Sequence, residues 1–149
     1  MKKEFIINNF KIKTRKCRKS DYNFVFGLIK KSIFPYISKY FKPSKEMFDE
    51  RFKEDYDKRV ILLRGKRRIG FYQLTVKKDK LDITGIFLTP MYQNKHIGSF
   101  LMNYFEKLGY KTVTLQVWEN NPAFKFYKKL GYKVVLKKNH KYHMEKIVN

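Results

Sequence analysis

Acidic side chains are scarce in this chain of 149 residues: 13 Asp and Glu stand against 35 Lys and Arg, a formal net charge of +22. Such an imbalance argues against a polycationic partner, which the field repels at long range. It favours a polyanionic one such as a nucleic acid, a membrane surface or a phosphorylated ligand. Composition supplies a competing source, because 28 Lys against 7 Arg with abundant Ile, Asn, Phe and Tyr is the profile of an A/T-rich coding sequence. That bias accounts for Lys over Arg. It does not account for the missing acids, since Glu codons are A-rich as well.

Cysteine is nearly absent. Cys17 alone excludes an intramolecular disulfide, and no Cys/His cluster has zinc spacing, so no metal is expected. Cys17 itself reads as a small residue near a first strand rather than a nucleophile. No apolar run approaches a membrane span, and "MKKEFIINNFKIK" lacks the apolar core of a signal peptide. The expectation is a cytoplasmic protein with no membrane association, a monomer or homodimer. Internal repeats, low-complexity tracts and long linkers are missing too. What remains, 43% hydrophobic and 17% aromatic residues, suits one globular domain over 1–149 with a sizeable core.

The few acids are clustered. Six of the 13 lie between Glu46 and Asp57, beside only Arg51 and Lys53, so one helix is locally acidic on a basic protein. Such a face attracts a cationic amine, or is simply solvated, which is the commoner case.

Along the chain, "FKIKTRKC" (10–17) alternates and predicts a first strand. A helix follows, with Ser20 or Asp21 as N-cap and Phe24, Leu28 and Ile29 on one face. "SIFPYISKYFKP" is aromatic and too broken by proline for one clean helix. Ser44 then caps a helix to about Tyr56 with Met47, Phe48 and Phe52 on its apolar side. Residues 59–90 predict three strands, with turns near Gly65-Lys66 and Lys78-Asp79. A polar loop leads to a helix from about Ile97 to Leu108, ended by Gly109. "KTVTLQVW" is a strand, "NNPAFKFYKKLGY" a helix with Pro122 early and Gly131 just past its end, and two closing strands complete the chain. The order β-α-α-β-β-β-α-β-α-β-β is an α/β arrangement, with a central mixed, twisted sheet flanked by about four helices.

The loop in "IFLTPMYQNKHIGSFL" carries chemistry. A strand that breaks into a loop and reopens as a helix offers free backbone N–H groups and a favourable dipole, a ready site for an anion. "YQNKHIGSFLMNYFEKLGY", followed by "TLQVWENNPAFKFYKKLGYKVV", resembles the coenzyme A-binding half of the GNAT N-acetyltransferase superfamily. The family's loop pattern is Gln/Arg-x-x-Gly-x-Gly/Ala, and here it reads Gln93-Asn94-Lys95-His96-Ile97-Gly98. The later pattern, Asn-x-x-Ala-x-x-x-Tyr and then Leu-Gly-Phe/Tyr, is met by Asn120, Ala123, Tyr127 and Leu130-Gly131-Tyr132. The element order agrees, so the resemblance spans nearly the whole chain. More loosely, "FPYISKYFKPSKEMFDERFKEDYDKR" is similar to a bacterial and archaeal subgroup of unassigned acceptor.

The resemblance implies a GNAT acyl-CoA N-acyltransferase fold and an N-acetyltransferase that moves an acetyl group from acetyl-CoA to a primary amine by direct attack in a ternary complex. It implies that the backbone of Gln93, Asn94, Lys95, His96, Ile97, Gly98 and Ser99 cradles the pyrophosphate. His96 replaces the first glycine of the pattern, and the expectation is a backbone there that does not require glycine. Ile86, Phe87 and Leu88 are expected to run beside the pantetheine arm, whose amides suit strand-like hydrogen bonding. Asn120 and Ala123 are expected at the coenzyme as well.

Tyr127 falls where family members often hold a tyrosine near the coenzyme sulfur, as proton donor to the leaving thiolate. Asp82 falls where several members place a glutamate on the central strand, 98 − 82 = 16 residues before Gly98. It is the candidate base, working through water. Phe34, Tyr36, Tyr40 and Phe41 fall in the segment that usually walls the acceptor site, although aromatics there are core as often. Lys95, Lys125 and Lys129 are candidate phosphate contacts, each more commonly a solvated lysine. The alternative is a nucleic-acid- or ribosome-binding protein on the same scaffold without transfer activity. An intact loop, Asn120 and Tyr127 favour the enzyme.

Overall fold

The computed structural model describes residues 3–148, so Met1 and Lys2 of the basic start lie outside the described residues. The alternation at 10–17 forms β2 (Phe10–Lys16), preceded by a strand that the sequence pattern did not mark, β1 (Glu4–Ile7). Four residues with two inward side chains, Phe5 and Ile7, are too short an alternation to announce a strand. Antiparallel pairing from Glu4↔Lys13 to Ile7↔Phe10 makes it one. The two-residue turn between them needs left-handed backbone, and Asn8 and Asn9 adopt φ of 47° and 70°.

Three helices follow: α1 (Tyr22–Ser32), α2 (Phe34–Ile37) and α3 (Lys45–Asp55). The broken segment does contain one helical turn, α2, with Pro35 in its first turn, where its missing N–H costs nothing. Helix α3 starts where expected, with Ser44 Oγ accepting from Met47 N at 3.3 Å. Met47 corrects the expected apolar side, because it is 59% exposed while Phe48 and Phe52 are buried. In α1 the buried positions are Val25 and Leu28, with Phe24 and Ile29 partly covered.

The strands β3 (Arg59–Arg64), β4 (Arg67–Lys77) and β5 (Lys80–Leu88) occupy 59–90 as expected, and α4 (Ile97–Glu106) follows the polar loop. The remainder is β6 (Thr112–Trp118), α5 (Ala123–Lys129), β7 (Lys133–Lys138) and β8 (Lys141–Ile147). Among the described residues, five α-helices rather than about four flank an 8-stranded sheet of order β1-β2-β3-β4-β5-β6-β8-β7. The sheet is mixed: β5 and β6 are parallel from Lys80↔Thr112 to Ile83↔Leu115, with α4 as the connection, while β6–β8 and β8–β7 are antiparallel.

The chain divides into two compact units, Met1–Gln73 with Ile86–Met102, and Leu74–Gly85 with Asn103–Asn149. In the first, α1 and α3 meet through rings, Tyr22–Phe52 at 5.2 Å and Phe26–Phe48 at 4.9 Å between centroids. Val25, Leu28, Ile61 and Phe71 are buried beside them, each such side chain stabilising by roughly 1.5–3 kcal/mol. Gly70 is required here by a close approach. A Cβ would meet the carbonyl oxygen of Phe87 and come within 2.9 Å of Leu88 Cδ2. In the second unit, Leu81, Ile83, Val113, Leu115, Phe105, Tyr132 and Met144 are buried.

Candidate functional site

In the first unit, β5 ends at Leu88, and a short 3-10 turn (Pro90–Tyr92) leads into the polar loop before α4. Gln93 is tied back to the strand end, its Nε2 donating to Leu88 O at 3.0 Å. The loop is also held at Lys95, whose carbonyl accepts from Asn8 Nδ2 at 3.0 Å. Asn94 and His96 have φ of 58° and 65° and so bracket Lys95 with left-handed backbone. Reversals of this kind turn successive N–H groups toward one concave side, as anion-binding nests require.

His96 takes the left-handed conformation that glycine adopts most easily, and histidine is among the side chains that tolerate it. The His96 carbonyl then accepts from Phe100 N at 3.0 Å and from Ser99 Oγ at 3.1 Å, which locks the first turn of α4. The N–H groups of Ile97, Gly98 and Ser99 belong to that first turn, where α-helices have no intrahelical acceptor for them.

Ile86, Phe87 and Leu88 are half-buried at the end of β5, and the Phe87 ring stacks on Phe71 at 4.9 Å. The aromatic segment of the first unit is mixed. Phe34 packs edge-on against Phe26 at 6.0 Å, Tyr36 and Tyr40 are half-buried, and Phe41 is exposed.

The second unit holds the remaining candidates. Asp82 is 9% exposed, and its carboxylate accepts from Thr114 Oγ1 at 2.6 Å and from Thr84 Oγ1 at 3.5 Å. Thr114 stands directly opposite it across the β5–β6 pair. Asn120 sits in the loop between β6 and α5, with its Oδ1 shielded from solvent. Ala123 opens α5, and its N–H donates to Asn121 Oδ1 at 2.9 Å. Tyr127 is half-buried on α5, and burial pushes its hydroxyl pKa up to about 12.

Sequence reasoning passed over two features of this unit. Asn121 is the side-chain cap of α5, a role that an Asn just before a helix-initiating proline can signal. A polar cluster also surrounds Tyr132, next along from Gly131. Its hydroxyl donates to Glu106 Oε2 at 2.9 Å, and Lys146 Nζ donates to Glu106 Oε1 at 2.8 Å. No local pattern announces partners so far apart in sequence.

The family model for the acetyltransferase (GNAT) domain matches residues 56–134, more than half of the chain. The chain belongs to the GNAT acetyltransferase family. It is an N-acetyltransferase, and its acetyl donor is acetyl-CoA. No curated protein matches the sequence.

Solved structures share the GNAT fold at low identity. The PaiA N-acetyltransferase of Thermoplasma acidophilum, in complex with coenzyme A, is 24% identical, covering 91% of this chain and 98% of its own with a TM-score of 0.69. The ribosomal-protein-S18-alanine N-acetyltransferase of Escherichia coli is 18% identical, covering 93% and 94% with a TM-score of 0.66. The spermidine N-acetyltransferase of Vibrio cholerae, with coenzyme A and spermine, is 17% identical, covering 91% and 95% with a TM-score of 0.64.

The residues present fit the coenzyme. The left-handed loop residues and the open first turn of α4 offer backbone donors to a pyrophosphate. Among the described residues, no helix is long and apolar enough to cross a membrane, and no group of three His, Cys, Asp or Glu is placed to hold a metal ion.

Proposed function

We propose that residues 1–149 work as one acetyltransferase domain, which transfers the acetyl group of acetyl-CoA directly to a primary amine in a ternary complex. The observation that carries this reading is the loop at 93–99, with left-handed Asn94 and His96 leading into α4 and Gln93 tied to the end of β5. Backbone donors from Gln93 to Ser99 hold the pyrophosphate, Ile86 to Leu88 accompany the pantetheine amides, and Asn120 and Ala123 complete the coenzyme contacts.

In the reaction, the uncharged amine nitrogen attacks the thioester carbonyl carbon, and the carbon–sulfur bond breaks. Asp82 accepts the amine proton through water, and Tyr127 returns a proton to the departing sulfur. A phenol pushed up to about 12 stays protonated at neutral pH, as a donor must. Ordinary thiols sit near pKa 8.5, so transfer from such a phenol is uphill in isolation. The desolvation that raises the phenol also raises a thiol held beside it, which narrows the gap.

The acceptor is a primary amine on a small molecule or a protein, flanked by Phe34, Tyr36, Tyr40 and Phe41. The net charge of +22 favours an amine carried on an anionic assembly, such as a protein bound to nucleic acid or to the ribosome, over a free polyamine. A cytoplasmic location accompanies this reading.

Acetyl-CoA calorimetry tests the coenzyme half. Micromolar binding is expected, weakened roughly tenfold by Asn120→Ala through lost polar contacts and spared by Tyr127→Phe. No binding at low or high salt would remove the loop as a pyrophosphate cradle. An amine panel that includes Ala-initiated peptides in acidic carriers then tests the acceptor, and preference for free spermidine would overturn the anionic-carrier reading.

A further inference from the structure

The cluster around Tyr132 has no part in the chemistry above, yet it borders the residue proposed to hold the leaving group's proton. Helix α5 ends in a turn closed by Gly131, whose φ of 98° suits glycine. In that turn Tyr132 N donates to Tyr127 O at 3.1 Å, and Gly131 N to Lys128 O at 3.0 Å. The backbone of Tyr132 therefore caps the carbonyl of Tyr127 itself. Their rings also meet edge-to-face, with centroids 6.3 Å apart and planes at 70°.

Tyr132 is in turn anchored from two other elements. Its hydroxyl donates to Glu106 at the end of α4, and the Glu106 side chain is only 14% exposed. Lys146 on β8 pairs with the other oxygen of Glu106, and its ammonium lies 5.7 Å from the centre of the Tyr132 ring. The stem of Lys146 covers Gly131, where a Cβ would lie 3.4 Å from Lys146 Cε. A half-buried carboxylate is best held with both oxygens paired, and here both oxygens of Glu106 have a partner. The arrangement therefore has one stable geometry, and Tyr132 is fixed in it.

We propose that Tyr132, held by Glu106 and Lys146, is a positioning residue that sets the direction of the Tyr127 hydroxyl toward the coenzyme sulfur. The inference rests on the reading of Tyr127 as the residue beside that sulfur. A ring held at its far end by an ionic hydrogen bond keeps the edge contact with Tyr127 in one place. Released from Glu106, the ring of Tyr132 shifts, and the Tyr127 hydroxyl loses its aim while the loop at 93–99 is untouched.

The test needs no acceptor. Calorimetry compares CoA with desulfo-CoA at about pH 9.5, roughly one unit above the ordinary thiol pKa of about 8.5, where most of the free thiol is ionised. The wild-type protein is expected to favour CoA about tenfold, the scale of a hydrogen bond to a charged group, and Tyr127→Phe to erase the preference. Tyr132→Phe and Glu106→Ala are expected to reduce it to about twofold, with affinity for desulfo-CoA unchanged, whereas Glu106→Gln, which still accepts from Tyr132, retains most of it.

If Tyr127→Phe erases the preference but Tyr132→Phe and Glu106→Ala keep it, the positioning role is overturned and the reading of Tyr127 stands. If the wild-type protein shows no preference, both fall. Equal loss of CoA and desulfo-CoA affinity in Tyr132→Phe and Glu106→Ala would mean a purely structural role, and would also overturn the proposal.

Discussion

Two buried aspartates, one in each unit, are satisfied in opposite ways. Asp21, 1% exposed in the first unit, accepts from Arg15 at 2.7 and 3.0 Å, from Arg68 at 3.2 Å and from the Arg18 N–H at 2.8 Å. Burial alone would raise its pKa. The hydrogen bonds from Arg15, Arg18 and Arg68 outweigh that and hold it down at about 2. Asp82, 9% exposed in the second unit, is hydrogen-bonded by the hydroxyls of Thr114 and Thr84. A carboxylate clamped by guanidinium groups holds structure and yields its charge to acid only reluctantly. One held by neutral hydroxyls keeps its place without a cationic partner, which fits the role of base proposed for Asp82.

The largest expected difference concerns stability. Asp21→Ala strands Arg15 in a half-buried site and should cost roughly 3–5 kcal/mol in urea unfolding. Asp82→Ala should cost far less, because its partners are neutral. Equal losses would abolish the distinction.

On activity the order reverses. Asp82→Asn keeps an oxygen for Thr114 and should leave coenzyme affinity unchanged while slowing acetyl transfer about a hundredfold, the low end for a lost general base. Asp21→Asn should leave the rate of the folded protein unchanged.

Acid sharpens the comparison next. The folded-state pKa of Asp21, about 2, lies below its ordinary 3.8. Its contribution is therefore present above about pH 4 and is lost as pH falls toward 2. That loss amounts to about 2 kcal/mol and should be missing from Asp21→Asn in unfolding measured across this window. The smallest effect is expected from Thr114→Val, which removes one hydroxyl from Asp82 at a cost of about 1 kcal/mol in stability.

The strand-to-loop-to-helix passage at 86–101 was readable because its signals are local: Pro90 ends the strand, polar residues fill the loop, and apolar spacing resumes with helical period after Gly98. The caps and turns at Ser44, Gly65, Gly109 and Gly131 were legible for the same reason. β1 was not, since two inward side chains make no pattern until β2 pairs with them. The apolar spacing of α3 likewise counted Met47 as inward, and packing left it at the surface.

Local spacing was enough to specify the elements other than β1 and the loop suited to an anion, because helix periods, caps and turn conformations are settled within a few residues of one another, and the motifs at 93–98 and 120–132 carried the resemblance to the family. The rings that join α1 to α3, the threonine partners of Asp82 and the Tyr132–Glu106–Lys146 cluster came from folding alone. Tyr132 and Lys146 lie 26 and 40 residues from Glu106. Which buried polar group satisfies another at that separation depends on how strands and helices stack, and no short-range preference encodes it.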